Sequence, residues 1–177
     1  MTSTPEAIHD AYSLLPQVQR NAAGAIGNIA MTDRFKEDML TTHRVLPPLV
    51  SLASTDCPLT QRQACRGLLV LSYGTESNKA HVADAGGIAP LVALARGGTD
   101  KQKEWAAGAL RNLADNADNS KVAIAKAGGI APLVALARDG TDGQKEQAAG
   151  ALRTLARNAD NQVAIARAGG IPPLVAL

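Results

Sequence analysis

The sequence predicts an all-α fold built from repeated helical units, an α-solenoid. Three observations predict it: an internal repeat of about 42 residues, start and stop signals for helices inside each unit, and a composition rich in small aliphatic residues. The 177 residues are 46% hydrophobic but contain only one Trp, two Tyr and one Phe. This composition favours slender, closely packed helices over a core built on large rings.

The repeat is clearest in the segment AGGIAPLVALAR, which occurs at 85–96 and again, unaltered, at 127–138. A third copy, AGGIPPLVAL, begins at Ala168. The second half of each unit recurs in the same register, as QRNAAGAIGNIA (19–30), KEWAAGALRNLA (103–114) and KEQAAGALRTLA (145–156). A period in this range is typical of helical solenoids.

Each unit contains signals for three helices. The first, NSKVAIAK in one unit, ends before Gly128, because glycine readily adopts the left-handed conformation that terminates helices. The second begins in IAPLVALAR, with Pro132 in its first turn, where no intrahelical N–H bond is needed. The third has Thr141 as N-cap and Gln144 three residues later, a capping box that recurs one unit earlier. Apolar side chains at helical spacing can face the neighbouring units, at Ala106, Ala109, Leu110 and Leu113.

The glycine pair of AGGIAPLVALAR could in principle belong to a phosphate-binding loop. A P-loop requires a strand, then GxxxxGK[ST], then a helix. Here a helix precedes the glycines, Ile-Ala-Pro follows them, and the dinucleotide pattern GxGxxG is absent. We therefore interpret the glycine pair as a corner between two helices.

Together, the AGGIxPLVxL corner and the capped helix ending in ALRNLA resemble the armadillo repeat. The resemblance covers nearly the whole chain and implies a right-handed α-solenoid with three helices per repeat; HEAT repeats have two helices and lack the AGG corner. The near-identical, glycine-rich units are similar to the armadillo arrays of scaffold proteins rather than to importin-type peptide receptors. The implied units are a partial repeat at 5–30 (second and third helices), repeats at 31–73, 74–115 and 116–157, and a truncated repeat at 158–177.

The resemblance implies a groove that binds protein segments. In armadillo proteins the third helices line a concave face, where asparagines hold the backbone of an extended peptide through amide donors and acceptors. By register, this ladder position holds Asn28, Val70, Asn112 and Thr154. Importin-type receptors place Trp four residues earlier, where this chain has Gly24, Arg66, Gly108 and Gly150. The departure argues against a receptor for nuclear localisation signals.

A further groove position, one turn earlier in each third helix, holds Asn21, Gln63, Trp105 and Gln147. Trp105, Gly108 and Asn112 share one helical face, so Trp105 beside a glycine gap can anchor a ligand. The alternative is that Trp105 packs on a neighbouring helix and contacts no ligand. The two asparagines, Asn28 and Asn112, have no evident capping use in mid-helix, which favours a groove role.

Arginines lie on or beside the same face, at Arg66, Arg111 and Arg153, and acidic residues lie near its rim, at Glu104 and Glu146. If the arginines dominate, an acidic or phosphorylated segment suits the groove. A solvated face of mixed charge is the alternative.

The sequence predicts no catalytic, cofactor or metal site. The histidines His9, His43 and His81 fall at different positions of their units and outside HExxH or CxxC…H patterns. His43 is interpreted as a helix-end residue. The polar turns at 115–118 and 157–160 lack the spaced ligands of a calcium loop.

The cysteines and the net charge indicate the cellular compartment of the chain and limit the classes of partner it can bind. Cys65 replaces an alanine of the AAGAL core, so we expect a small buried residue, and Cys57 takes an N-cap slot. Two cysteines form no disulfide framework and indicate a reduced, intracellular protein. A net charge of +2 without clustered basic and aromatic residues excludes a typical nucleic-acid binder. No apolar run is long enough to insert into a membrane, so we expect a cytoplasmic chain, with the nucleus as alternative.

The leading interpretation is a non-enzymatic module that binds a peptide segment of a partner protein along the third helices. One alternative is the scaffold or substrate-recognition half of a larger enzyme, such as a ubiquitin ligase or kinase; another is a structural spacer with no groove ligand. Because the sequence stops inside a second helix at Leu177, it also predicts an exposed apolar end and end-to-end self-association.

Overall fold

The computed structural model describes residues 5–41, 45–116 and 118–176. Within these ranges the chain forms twelve α-helices and no β-strand, which confirms the all-α prediction. The helices are α1 (Pro5–Ile29), α2 (Asp33–Thr41), α3 (Leu46–Ala53), α4 (Pro58–Leu71), α5 (Glu76–Asp84), α6 (Ile88–Gly97), α7 (Asp100–Ala114), α8 (Asp118–Lys126), α9 (Ile130–Asp139), α10 (Asp142–Leu155), α11 (Ala159–Arg167) and α12 (Ile171–Val175).

The helices form layers that follow the sequence repeat. The long third helices pack in series, α1 on α4, α4 on α7 and α7 on α10. The second helices α3, α6, α9 and α12 form another series, and α6 packs on α7 as α9 packs on α10. The short first helices pack at the ends of these layers, α5 and α8 against α7, and α11 against α10.

The core runs continuously between the layers. The predicted apolar stripe of α7, at Ala106, Ala109, Leu110 and Leu113, is fully buried. The equivalent leucines of α4 and α10, Leu68 and Leu152, are buried as well. Burial of each such leucine contributes about 1.5–3 kcal/mol relative to exposure, so every repeat is stabilised by the same few contacts with its neighbours.

The glycine corners have the predicted conformation. Gly86, Gly128 and Gly169 have φ angles of 83°, 76° and 72°, a region that favours glycine. At the middle corner the N–H of Gly129 donates to the carbonyl of Ile124 at 2.9 Å, which closes the end of α8. The glycine pair is therefore a structural corner between a first and a second helix.

The capping boxes join neighbouring repeats as well as starting their own helix. The Gln144 Oε1 accepts from the Thr141 N–H at 3.2 Å, and the Thr141 Oγ1 accepts from the Gln144 N–H at 3.4 Å. The same amide group uses its Nε2 to donate to the carbonyl of Asp100, at 2.9 Å, at the start of α7. Gln102 repeats this with the carbonyl of Pro58, at 3.2 Å, at the start of α4. Sequence reasoning found the caps but not these bonds between repeats.

The amino-terminal end differs from the predicted pair of second and third helices. Residues 5–29 form one continuous helix, α1, with Pro16 inside it. The equivalents of Pro16, Pro58 and Asp100, begin α4 and α7. Before Asp100 the chain has Gly98 and an N-cap threonine, whereas two leucines precede Pro16. Without a glycine or a cap to end one helix and start another, the helix continues through the proline.

The last helix leaves apolar side chains exposed. Ile171 and Val175 are 58% and 82% exposed, whereas their equivalents in α9, Ile130 and Val134, are buried. In the preceding repeats the next glycine corner packs on the equivalent valine: a Cβ at Gly170 would lie 3.1 Å from the Val134 Cγ2. The end-to-end association expected from the sequence stays a prediction.

Among the described residues, no single helix has both the length and the apolarity to cross a bilayer. One pair, Asn119–Lys126 with Ile130–Asp139, passes by length and composition only when joined across an 80° bend.

Candidate binding groove

An open groove with a volume of about 710 Å³ lies along α4, α7 and α10. Six of the predicted site residues line it: Trp105, Arg111, Asn112, Gln147, Arg153 and Thr154. Other lining residues were not identified from the sequence, and these include Leu69, Ser72, Tyr73, Lys79 and Asp115. Leu69, Ser72, Tyr73 and Asp115 lie one to three residues from a ladder position, and Lys79 comes from the first helix α5. Their place at the groove therefore depends on how the helix ends pack.

The remaining four predicted site residues form a separate amino-terminal group. The Arg66 guanidinium donates a hydrogen bond to the Asn28 Oδ1. Gln63 lies beside Gly24, where an added Cβ would be 3.6 Å from the Gln63 Oε1. Asn21 is exposed on α1. These residues lie on α1 and α4 and do not line the groove farther along the solenoid.

Side chains of neighbouring repeats occupy the space left by the third-helix glycines. A Cβ at Gly108 would lie 3.4 Å from the Gln147 Oε1 and 3.3 Å from the Leu69 Cδ1. A Cβ at Gly150 would lie 2.8 Å from both Cδ and Nε of Arg111. The glycines therefore let Gln147 and Arg111 lie across the adjacent helix, and the groove stays open above them.

The ladder residues have partners inside the chain. The Asn112 Nδ2 donates to the Ser72 Oγ at 3.2 Å, and the Thr154 hydroxyl donates to the Gly150 carbonyl of its own helix at 3.0 Å. Asn28 accepts from Arg66. The asparagines thus have a structural use that sequence reasoning missed. Within the described part of the chain, the Asn112 Oδ1 has no hydrogen-bond partner, so this atom is available to a ligand.

One charged cluster of the groove is internally compensated. The Lys79 ammonium lies 2.7 Å from Glu76 and 3.4 Å from Asp115, and Asp115 lies 3.7 Å from Arg157. Burial by itself lowers the pKa of Lys79, but the hydrogen bonds and charges of Glu76 and Asp115 outweigh it, so the pKa is raised. Lys79 is therefore charged and paired at neutral pH.

The arginines of the groove are not compensated in this way. The rim carboxylate Glu104 pairs with Lys101 at 2.9 Å. Arg111 donates only to the neutral Gln147, at 3.4 Å. Across the described ranges, neither Arg111 nor Arg153 has a carboxylate partner. The unpaired charge facing the groove is therefore positive.

Two aromatic residues border the same space. Trp105 is half-buried and packs against the hydrophobic core, while it also lines the groove. Tyr73 is 68% exposed, and its ring lies 5.5 Å from the Lys36 ammonium. The groove combines aromatic surface with cationic and amide groups, a mixture common at interface hot spots.

The other residues considered for chemistry have structural environments. Cys65 is fully buried, as predicted, and burial raises its pKa to about 12. The His81 Nδ1 lies 2.7 Å from the Ser77 carbonyl of its own helix. In the part of the chain that the structure describes, no group of three or more His, Cys, Asp or Glu could hold a metal ion. His43 and the side chain of His9 lie outside the described residues.

A family model described as the armadillo/beta-catenin-like repeat matches residues 75–115 and 117–157. These two segments are similar to armadillo repeats over their whole length. The juxtamembrane domain-associated catenin of Caenorhabditis elegans is 32% identical over 88 residues, which is 49% of this chain. The chain spans 7% of the length of that catenin.

Solved structures share the armadillo fold over most of the chain. The crystal structure of an engineered protein has a TM-score of 0.84 at 29% identity and covers 92% of this chain and 66% of its own. A designed armadillo repeat protein in complex with the peptide (KR)4 has a TM-score of 0.81 at 24% identity, over 92% and 73% of the two chains. The latter likeness concerns the fold alone.

Proposed function

We propose that this armadillo module is a non-enzymatic interaction domain whose groove binds an extended, acidic segment of a partner protein. The observation that carries the proposal is the pair Arg111 and Arg153, which occupy equivalent positions in consecutive third helices and have no carboxylate partner among the described residues. Arginine binds carboxylates through paired, charge-assisted hydrogen bonds. Trp105 and the Asn112 Oδ1 lie in the same groove and offer apolar contact and a backbone-binding group.

The spacing of the two arginines limits the ligand. Neighbouring packed helices lie about 8–10 Å apart, and an extended peptide rises about 3.3 Å per residue. The backbone positions of Arg111 and Arg153 therefore match residues two or three apart in one strand, while the Arg111 side chain itself reaches across to Gly150 of α10. The (KR)4 peptide bound by the designed protein has the opposite charge, which makes it a useful negative control.

We also propose that the groove belongs to the scaffold type rather than the importin type. The space beside Gly108 and Gly150 is occupied by side chains of neighbouring repeats, Gln147 and Arg111. No aromatic side chain lines the groove at those two positions. Such a groove recognises its ligand through charge and through Trp105 more than through stacked aromatic rings.

Trp105 supplies an internal reporter for the test, because it is the only tryptophan of the chain and lines the groove. Three kinds of peptide are titrated against the protein: peptides with Asp or Glu two and three residues apart, a series without charged residues, and (KR)4. We expect the acidic peptides alone to change the Trp105 emission. Calorimetry under the same conditions gives the affinities.

Two variants with the same charge change separate the groove from the rest of the surface. Arg153→Gln removes a groove arginine, and Arg138→Gln removes an exposed arginine of α9. We expect about a tenfold loss of affinity in the first, as for one charge-assisted hydrogen bond, and no loss in the second. Equal affinities for all three proteins, or tighter binding of (KR)4, would overturn the proposal. No binding by any peptide would favour the spacer interpretation.

A further inference from the structure

The first long helix carries an apolar stripe that no described part of the chain covers. Leu15, Val18 and Ile29 are 49%, 61% and 50% exposed, and Ala22 and Ala25 between them are exposed too. Their spacing of three and four residues places all five on one side of α1. The helix packs on α4 with a different side, which includes the fully buried Ala23 and Ala30.

The same positions are buried in the later third helices. The equivalents of Ala22, Ala25 and Ile29 in α7 are Ala106, Ala109 and Leu113, all with no exposure. In α4 this side meets both the preceding third helix and the second helix of its own repeat. A Cβ at Gly27 of α1 would lie 3.6 Å from the Gly67 Cα, and a Cβ at Gly67 would lie 3.0 Å from the Leu49 Cδ2 of α3. The stripe of α1 is therefore a surface of the kind that elsewhere in the molecule packs against a helix.

One substitution shows that the stripe is not suited to another repeat of the same kind. At the position of Val18, the later third helices have Thr60, Gln102 and Gln144. Each donates a hydrogen bond to a backbone carbonyl of the preceding third helix, at 3.4, 3.2 and 2.9 Å. Val18 cannot donate, so the helix that fits here is one packed through apolar side chains alone.

We propose that α1 pairs with α1 of a second copy, antiparallel, through this stripe. In the antiparallel register that is centred near Arg20, Leu15 lies opposite Ala25 of the second copy and Val18 lies opposite Ala22. By symmetry each layer then contains one large and one small side chain, the arrangement that lets two helices interdigitate closely. A twofold interface of this type uses the same surface on both copies and closes as a dimer.

The charge around the stripe is compatible with self-pairing. The residues that flank it on the helix surface are uncharged: Gln19 and Ile26 on one side, and Asn21 and Asn28 on the other. Between residues 15 and 29 the only charged residue is Arg20, which is half-buried and lies away from the stripe. No like charges of α1 meet across the pair. One charged group of another helix, the Arg66 guanidinium of α4, reaches this edge at Asn28.

The first experiment is sedimentation equilibrium of the whole chain over a wide concentration range. We expect the average mass to rise from 18.2 kDa towards twice that value. Ala22→Lys, which places a charge in the middle of the stripe, is expected to remain monomeric. Gln17→Lys makes the same charge change at an exposed position of α1 off the stripe and is expected to dimerise like the parent. Circular dichroism verifies that all three fold alike.

The second experiment tests the register. In a Cys57→Ser background, with Cys65 buried, two single variants are prepared, Leu15→Cys and Ala25→Cys. Under a mild oxidant, we expect a disulfide-linked dimer only when the two variants are mixed. Cross-linking of either variant alone would indicate a parallel pair and overturn the proposal. A monomer at all concentrations, or association that Ala22→Lys leaves unchanged, would overturn it too, the latter by placing the contact on another surface such as α12.

Discussion

The two cysteines illustrate how strongly the surroundings of one residue decide its chemistry. Cys65 occupies an alanine slot of the core with no exposed surface, and its desolvation raises the pKa to about 12. Cys57 occupies the N-cap position of α4 without a side-chain capping bond, and the neighbouring Thr60 lowers the pKa of its thiol, mainly through the Thr60 side chain and next through its backbone. The sequence predicted the burial of one and the N-cap position of the other, but not the difference in reactivity.

We therefore expect one reactive thiol in the folded chain and two in the unfolded chain. The thiolate is the reacting species, and a lowered pKa leaves more of it at neutral pH. The pH midpoint for modification of Cys57 is expected below the ordinary thiol value of about 8.5. A thiol-specific chromogenic reagent, used with and without denaturant, measures the number of reactive thiols in the unfolded and in the folded chain. In Cys57→Ser, modification of the folded chain should stop; continued reaction would mean that Cys65 is accessible.

At the scale of helices, the glycine corners set where a first helix ends. Gly86 and Gly97 form a matched pair, because an added Cβ would meet nothing within 4 Å at either position, but only Gly86 has a positive φ, of 83°. We expect Gly86→Ala to destabilise the fold by about 1 kcal/mol, since alanine is strained in the left-handed region. Gly97→Ala should be neutral or slightly stabilising, because it reduces the freedom of the unfolded chain. Urea unfolding of the two variants measures the difference, and equal effects would contradict the role assigned to the corner.

The capping glutamines make each third helix depend on the one before it. Gln144 is buried and divides its amide group between its own cap, through Oε1, and the Asp100 carbonyl, through Nε2. An unpaired buried polar group costs about 1–3 kcal/mol. The single side chain therefore couples the start of α10 to the start of α7.

Two substitutions at Gln144 separate these roles. Gln144→Glu keeps an acceptor for the cap but loses the donor to Asp100, whereas Gln144→Ala loses both. The Gln144 Nε2 also lies 3.3 Å from the Asp100 carboxylate, so a glutamate at this buried position meets like charge. We expect a loss of unfolding free energy of about 1–3 kcal/mol for the alanine variant and a larger loss for glutamate. Thermal or urea unfolding gives the values. A glutamate variant as stable as the parent would mean that the bond between repeats contributes nothing.

For the whole molecule, stability depends on how many neighbours each helix has. The third helix α7 packs against α4, α5, α6, α8 and α10, whereas α12 packs mainly on α9 and leaves Val175 exposed. In solenoids stability is approximately a sum of repeat and nearest-neighbour terms. Opening should therefore start at the ends of the solenoid and reach the middle last.

Hydrogen exchange of the native chain measures this gradient. We expect the amides of α7 to exchange most slowly and those of α12 to exchange fastest among the second and third helices. Leu110→Ala, which truncates a fully buried side chain of α7, should cost about 2–5 kcal/mol and accelerate exchange in α4 and α10 as well. Acceleration confined to α7 would show that the repeats open independently.

Sequence patterns correctly predicted the repeat, the class of fold and most helix boundaries. These features depend on local chemistry, such as the left-handed glycine of the corner, the capping box and the spacing of apolar residues, and each is complete within one unit. The same reasoning failed at α1, because whether Pro16 starts a helix or lies within one depends on the residues that surround it.

The grouping of the predicted site residues in one groove, and the partners that some of them have inside the chain, depend on how the helices pack. Asn112 and Asn28 occupy matching positions, yet one bonds Ser72 and the other Arg66. Arg111 is held over Gly150 of the next repeat, and Lys79 is neutralised by Asp115 some 36 residues away in the chain. Such partners come from different repeats, so their distances and charges exist only once the helices have packed, and a pattern confined to one unit carries no record of them.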